Sequence, residues 1–364
     1  MKINKIYFDM TNNFMKSNKI LHGGRYFSIW LHNELVHNSD QFNVVALLPL
    51  TIPEDTYEAD LLKDNKNVRI SDYKNLKLDS GSILIIPNLP VYKELKILKV
   101  NFNITILTFI HGLRLIDRNY SLSFEEYRFY NNISKKNYFS LTGFLKSKIN
   151  RLLRSQVGKR KFIKYIKYSD YILTVSNYSM QKMLSINPKL NIRPFIQGVS
   201  SNRESVINNS SLNGNYALFL SANRPIKNFY NTLKGFVEYK LTNESSVLKM
   251  YVTGIENLGN RQLEYFSLKE QSIINNDVKF LGYVSFNELQ ELKSNCRFLV
   301  YNSYNEGYGL PPVELMAYNK PSILSFNTSI PELFGYSAIY VSPKSTTSLA
   351  KAIQKLDNQV LYVE

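Results

Sequence analysis

Two glutamates eight positions apart, Glu306 and Glu314, bracket a glycine turn in the run Glu306-Gly307-Tyr308-Gly309-Leu310-Pro311-Pro312-Val313-Glu314-Leu315-Met316-Ala317. The preceding Arg297-Phe298-Leu299-Val300-Tyr301 reads as a buried parallel strand. Proline at 311 and 312 suits the first turn of a helix, where its missing N–H is not needed. Val313, Met316 and Ala317 then recur at helical spacing. A strand, a glycine loop and a helix start aim free backbone N–H groups and the positive helix end at one spot, which suits a phosphate. Glu306 is expected at the mouth of the loop and Glu314 on the first helical turn, both facing one crevice. Either glutamate alone could cap a turn or complement a helix dipole, worth roughly 0.3–1 kcal/mol. That account does not explain two Glu, two Gly and the prolines in this order.

Other candidate groups sit on other loops. In Ser221-Ala222-Asn223-Arg224-Pro225-Ile226-Lys227-Asn228-Phe229, Arg224 and Lys227 lie three apart on a loop entering a helix. Such a pair can neutralise a diphosphate leaving group; by itself it could equally be a solvated turn. Gly23 and Gly24, in His22-Gly23-Gly24-Arg25-Tyr26, would let the backbone approach a phosphate or a sugar. The run is not GxGxxG, so no nicotinamide cofactor is expected. His111 follows the apolar run Ile104–Ile110, and a residue at a strand's C-terminal end in an open α/β sheet faces the ligand crevice. Ser176 reads as a helix N-cap. The other histidines lack metal-ligand spacing, and there is no Asp-x-Asp.

The Glu306–Ala317 run resembles the EX7E motif of retaining glycosyltransferases of family 4. The resemblance continues through Pro321-Ser322-Ile323-Leu324-Ser325 and Ser329-Ile330-Pro331-Glu332-Leu333, and it is strong from about Ser221 to Ile353. It implies the α/β GT-B fold, two Rossmann-like parallel-sheet domains facing each other across a cleft. It implies that Glu314 hydrogen-bonds the donor ribose and that Glu306 contacts the transferred sugar. The N–H groups of Gly309 and Leu310, beside Gly307, would hold the departing diphosphate together with Arg224 and Lys227, and Asn228 would join the donor site. Gly23 and Gly24 match the family's first-domain glycine loop, and His111 its sugar-contacting histidine. The same resemblance implies a nucleotide diphosphate sugar as donor, no cofactor and no required metal. The acceptor would be a sugar or a lipid-linked glycan of cell-surface polysaccharide synthesis. Family members usually carry a further helix crossing back onto the first domain, and only Gln354–Glu364 are left here for it.

A chain of 364 residues with 44% hydrophobic residues is long enough for two globular domains. The first is expected over 1–200 for the acceptor, a Ser/Asn-rich linker over 201–215, and the nucleotide-sugar domain over 216–364. Strands are expected at Lys5–Met10, Asn43–Leu48, Ser82–Pro87, Thr105–Ile110 and Tyr171–Val175. In the second half they are expected at Tyr216–Leu220, Leu248–Thr253, Val278–Phe280, Arg297–Tyr301, Ser322–Ser325 and Ala338–Val341. The single cysteine, Cys296, excludes an internal disulfide and fits a reducing compartment. No apolar run reaches the roughly 18 residues of a membrane span, so a cytoplasmic protein is expected, peripheral on the inner face of the membrane.

The net charge of +16 is partly local: twelve Lys and Arg lie between Arg128 and Lys167, with no Asp or Glu among them. Within it Leu145, Ile149, Leu152, Leu153 and Val157 recur at helical spacing, with Lys146, Lys148, Arg151 and Arg154 beside them. This reads as a basic amphipathic helix suited to an anionic membrane surface, or as a surface helix packing its apolar side on its own domain. No nucleic-acid-binding motif is present, and no nucleic-acid partner is expected. Two other classes stay open: a non-catalytic nucleotide-sugar-binding subunit and, less favoured, a basic nucleic-acid binder.

Overall fold

A computed structural model describes residues 5–11, 23–38, 42–50, 52, 57–64, 66–70, 76–88, 92–113, 120–137, 140–196, 198 and 214–358. They form two compact units, one of Met1–Asp117 with Arg154–Ile196, the other of Arg118–Leu153 with Gln197–Glu364.

The first unit is built on β1 (Lys5–Asp9), β2 (Asn43–Pro49), β3 (Val68–Ile70), β4 (Ile83–Ile86), β5 (Thr105–Ile110), β6 (Tyr171–Thr174) and β7 (Ile192–Pro194). They form a seven-stranded sheet in the order β3-β2-β1-β4-β5-β6-β7, and every pairing is parallel. The second unit carries β8 (Tyr216–Phe219), β9 (Lys249–Val252), β10 (Val278–Phe280), β11 (Phe298–Tyr301), β12 (Ser322–Ser325) and β13 (Ile339–Val341). Its order is β10-β9-β8-β11-β12-β13, again all parallel. Both sheets therefore run outward in two directions from an inner pair, β1/β4 and β8/β11, the doubly wound Rossmann pattern.

The reason lies in the strand sequences. Phe8, Ala46, Leu47, Leu84, Ala217, Leu218, Leu299, Val300 and Ile323 are all buried, as continuous apolar strands covered on both faces must be. Each expected strand forms, within a residue or two of its expected limits. Two strands were not expected, β3 (Val-Arg-Ile) and β7 (Ile-Arg-Pro). Both are three-residue edge strands with an exposed arginine at the centre. Too short for a period to register, β7 also ends on a proline, which edges tolerate.

The expected boundary needs one correction. The segment Arg118–Leu153, placed by sequence in the first domain, packs with the second unit. Its helix Phe124–Tyr130 opens with a capping box, Ser123 to Glu126. Phe129 then joins the second unit's core, with its ring 4.7 Å from that of Tyr230. The Tyr130 hydroxyl accepts from the Tyr230 N–H at 3.0 Å, Lys234 pairs with Glu125 at 2.9 Å, and Tyr265 donates to the Ile133 carbonyl at 2.8 Å. Aromatic burial and long-range hydrogen bonds decide the placement, and neither is visible in local sequence. Most of the expected linker lies outside the described residues; Gly214 and Asn215 lead into β8.

Candidate active site

In an open parallel sheet, ligands gather beyond the carboxyl ends of the strands where the order reverses. In the second unit those strands are β8 and β11, directly paired through Ala217 with Phe298 and Leu218 with Leu299. Both lysine- and glutamate-bearing loops leave from these ends.

After β8 the chain enters a short 3-10 turn, Pro225–Lys227, and then Asn228, whose left-handed backbone (φ 62°) starts the helix Phe229–Thr242. Asparagine tolerates that conformation better than most residues. Its side chain is spent on structure: fully buried, it donates to the Pro343 carbonyl at 2.5 Å and accepts from Asn231 at 2.7 Å. Asn228 thus holds the loop in place through its side chain.

After β11 the loop runs to Gly309 (φ 105°), and the helix Leu310–Met316 follows with prolines in its first turn, as the sequence predicted. A Cβ at Gly309 would meet Ile330 Cδ1 at 2.7 Å, so both backbone and space require glycine. The loop is tied down throughout. Tyr304 N–H donates to Ile226 O at 2.8 Å, joining it to the lysine turn. Glu306 N–H donates to Thr328 Oγ1 at 3.1 Å, and Ser329 Oγ donates to Glu306 O at 2.9 Å. Gly307 and Leu310 are half-buried on this stretch.

The two loops meet through their charges. Lys227 Nζ lies 2.7 Å from Glu306 Oε1 and 2.7 Å from the Tyr301 hydroxyl, 4.4 Å above the Tyr301 ring centre. The side chains of Lys227 and Glu306 are only 10% and 16% exposed. Burial pushes the Glu306 carboxyl up, but Lys227, together with the Ser303 and Tyr301 side chains, outweighs it and holds the group below its ordinary value of 4.5. Glu306 is thus an ionised acceptor at neutral pH and cannot serve there as a general acid. The Tyr301 hydroxyl is pushed well above 10.0, first by burial and then by Glu306. Arg224, half-buried at the start of the turn, acts on the same hydroxyl with its positive charge. Two cations therefore bear on one spot.

Glu314 is engaged separately. Its Oε2 takes the Nζ of Lys293 at 2.5 Å; Lys293 is almost fully buried and Glu314 is 34% exposed. The sequence reading missed Lys293. Its signal is a lysine within the inward stripe Leu289, Leu292, Lys293 of the helix Phe286–Asn295, just before the buried C-cap Cys296. Also missed was Glu126, buried in the segment Arg118–Leu153, which accepts from the Tyr304 hydroxyl and from Asn231 at 2.8 Å. It links that segment to the residue two before Glu306.

On the first unit, His111 follows β5. Its Nε2 lies 2.7 Å from the Pro87 carbonyl and must donate, which leaves Nδ1 as the acceptor of the neutral ring. The Phe27 ring stands edge-on to it at 4.3 Å. Gly23 and Gly24 are the first residues of the helix Gly23–His37 rather than a loop before it; His22 lies outside the described residues. Ser176 is an N-cap, accepting from Ser179 N–H at 3.2 Å. Among the described residues, no three His, Cys, Asp or Glu side chains cluster in a way that could hold a metal ion. Two surface hollows of about 460 and 630 Å³, one over β1–β3 and one beside β8 and β9, include none of these site residues.

Residues 200–359 match the family model of glycosyl transferases group 1. A curated relative, O-antigen chain mannosyltransferase RfbU of Salmonella typhimurium, is 28% identical over 212 residues, covering 57% of this chain and 54% of its own. The chain thus aligns with about half the length of that relative. Among solved structures, Anabaena HepE in complex with UDP and glucose superposes with a TM-score of 0.61 at 14% identity, covering 98% of this chain and 90% of that one. Sucrose-phosphate synthase from Thermosynechococcus elongatus gives 0.60 at 13% identity, with 97% and 89% covered. The chain has the GT-B fold of two Rossmann-like parallel-sheet domains, and its second half, with the lysine and glutamate loops, matches the group 1 glycosyl transferases.

Proposed function

We propose that the protein is a retaining glycosyltransferase of the family 4 type, moving a hexose from a nucleotide diphosphate to an acceptor hydroxyl. The observation that carries this reading is the buried Lys227–Glu306 contact at the β8/β11 reversal, beside the glycine-opened helix start. The second unit would bind the donor and the first the acceptor, a growing glycan or its lipid-linked form. The O-antigen and UDP–glucose descriptions of the similar proteins support this substrate class. A single buried cysteine agrees with catalysis in the cytoplasm.

In the reaction, the bond from the anomeric carbon to the diphosphate oxygen breaks. A bond to the acceptor oxygen forms on the same face, and the acceptor proton passes to the departing phosphate. No protein nucleophile is needed. Charge grows on the leaving diphosphate, where Lys227, Arg224 and the N–H groups of Gly309 and Leu310 stabilise it; such electrostatic help is usually the largest part of catalysis. Lys227 exchanges part of its hold on Glu306 for the diphosphate. Glu306, ionised, accepts from the sugar hydroxyls and balances positive charge at the anomeric carbon. Glu314, steadied by Lys293, offers its remaining oxygen to the ribose. For His111, on the first unit, the family resemblance alone supports a sugar contact. No metal takes part in this scheme.

Turnover of candidate nucleotide sugars with Glu306→Gln is the test. The substitution keeps size and removes charge, so the rate should fall by orders of magnitude with folding intact. Proton NMR of the product should give the donor's anomeric configuration; an inverted product, or unchanged turnover in the variant, would refute the scheme.

A further inference from the structure

The helix Ser140–Ile166 is 27 residues long and carries two apolar sides. One is anchored: Phe144, Phe162 and Ile166 are buried. Arg151 belongs to it as well, its guanidinium 4.7 Å from the Tyr120 ring centre and bonded to the Tyr120 carbonyl. The other side is not covered. Leu145, Ile149, Leu152 and Leu153 are 50%, 58%, 70% and 60% exposed, with Leu141 at 47% beside them. At positions i, i+4, i+7 and i+8 these residues share one side of a helix. Of the two sequence expectations for this helix, packing of the leucine side on its own domain is therefore overturned. The helix packs through its phenylalanines, and the leucines face outward.

Single exposed apolar residues are ordinary; a continuous stripe of large ones marks an interaction surface. The charges name the partner. The helix holds eight Lys and Arg and no acidic residue. Lys146 and Lys148 are exposed and flank the stripe. A second copy of this chain would bring the same positive charge to the same face. A nucleic acid would satisfy the charges but not four branched aliphatic side chains, and the exposed stripe offers no aromatic ring for a base. A bilayer bearing anionic headgroups satisfies both, with aliphatic side chains at the acyl boundary and cations among the headgroups. No helix among the described residues is long and apolar enough to cross a membrane.

We infer that the outward side of the helix Ser140–Ile166 is a membrane-docking surface that lies in the interface of anionic lipid. The inference does not depend on glycosyl transfer; it needs only the exposed stripe and its flanking charges. If both hold, the enzyme would act beside the leaflet that carries a lipid-linked acceptor.

The experiment is co-sedimentation with vesicles of phosphatidylcholine alone and with phosphatidylglycerol added, at low and high salt. The wild-type chain should pellet with the anionic vesicles at low salt, several-fold less at high salt, and hardly with the neutral ones. Leu145, Ile149, Leu152 and Leu153 changed together to Ser should lose most of the binding. Lys146, Lys148, Arg154 and Lys161 changed together to Glu should do the same, with Arg151 kept because it holds Tyr120. As a check independent of folding, a tryptophan at Leu152 should shift its emission to the blue only with anionic vesicles. Equal binding to neutral and anionic vesicles would overturn the inference. So would a serine variant that still pellets, or self-association in size-exclusion runs that the serine variant abolishes.

Discussion

The two units share a strand order, yet they arm the reversal point differently. In the second, the loops after β8 and β11 converge on a buried lysine–glutamate pair, and every turn between them is hydrogen-bonded to a neighbour. In the first, the strand ends present a half-buried histidine against a proline carbonyl and an aromatic ring, and a buried aspartate, Asp9, that accepts from the Thr11 N–H and hydroxyl. The lesson is that the doubly wound sheet supplies a location and not a chemistry. On the proposed function, it is the paired lysine and glutamate of the second unit that mark the donor side.

The largest effect should come from breaking that pair. If the proposed scheme holds, Lys227→Ala removes a cation that stabilises the leaving group, and such a loss typically costs on the order of 3 kcal/mol in the barrier, or more than a hundredfold in turnover at saturating donor. It also leaves the Glu306 carboxyl buried without its cation, so that burial pushes its pKa up, and the loss of the partner can reach about 3–5 kcal/mol of stability. The double variant Lys227→Ala/Glu306→Gln separates the two. Its denaturation midpoint should recover most of the loss while turnover stays low. If stability alone changed in the single variant, Lys227 would be a structural lysine and the donor side would have to be sought elsewhere.

Much of this asymmetry was legible beforehand. Glycine at 309, prolines at 311 and 312 and the run before them fixed strand, loop and helix, because each residue has a local reason for its place. Lys227 and Glu306 were both singled out, but their contact was not foreseen, since it depends on which strands pair. The partners that hold the site were the illegible part. Lys293 comes from another helix, Glu126 from a segment far back in the chain, and Thr328 and Ser329 from the turn after β12. Apart from Lys293, which interrupts the apolar stripe of its helix, none has a sequence period to announce it. The hold of Asn228 on Pro343 and Asn231 is illegible for the same reason, because both partners are set by the fold.

Acid should separate the units. His32, on the helix Gly23–His37 and edge-on to Phe8 at 5.3 Å, has its pKa lowered from 6.5 to about 4, by burial first and then by Lys66. Folding therefore favours its neutral form. Its contribution is complete above pH 6.5 and is lost as pH falls toward 4, by about 3 kcal/mol in all. Glu306 is shifted below 4.5, so the Lys227–Glu306 pair keeps its charge over the upper part of that window, where His32 begins to titrate. The only tryptophan, Trp30, lies on the helix of His32 and reports the first unit. Its emission should change between pH 6.5 and 4, and His32→Leu should move that change to lower pH. A transition unaffected by His32→Leu would mean that another group governs it.

The smallest effects compare glycines. Gly81, at the amino-terminal end of β4 in the first unit, has φ 78° and nothing within 4 Å of where a Cβ would stand. Alanine there meets only the cost of the left-handed backbone, about 1 kcal/mol, and donor affinity should not change. Gly309 has φ 105° and also faces Ile330 Cδ1, in a side chain that is itself fully buried. Alanine there adds overpacking to backbone strain, so the loss should reach about 2–3 kcal/mol. Relief has to come from the loop, because Ile330 is held in the core, and a shifted loop misplaces the N–H groups of Gly309 and Leu310. Donor affinity, measured by calorimetry with the nucleoside diphosphate, should therefore fall with Gly309→Ala and not with Gly81→Ala. Equal affinities in the two variants would mean that the helix start does not touch the diphosphate, and the lysine turn would then be its main anchor.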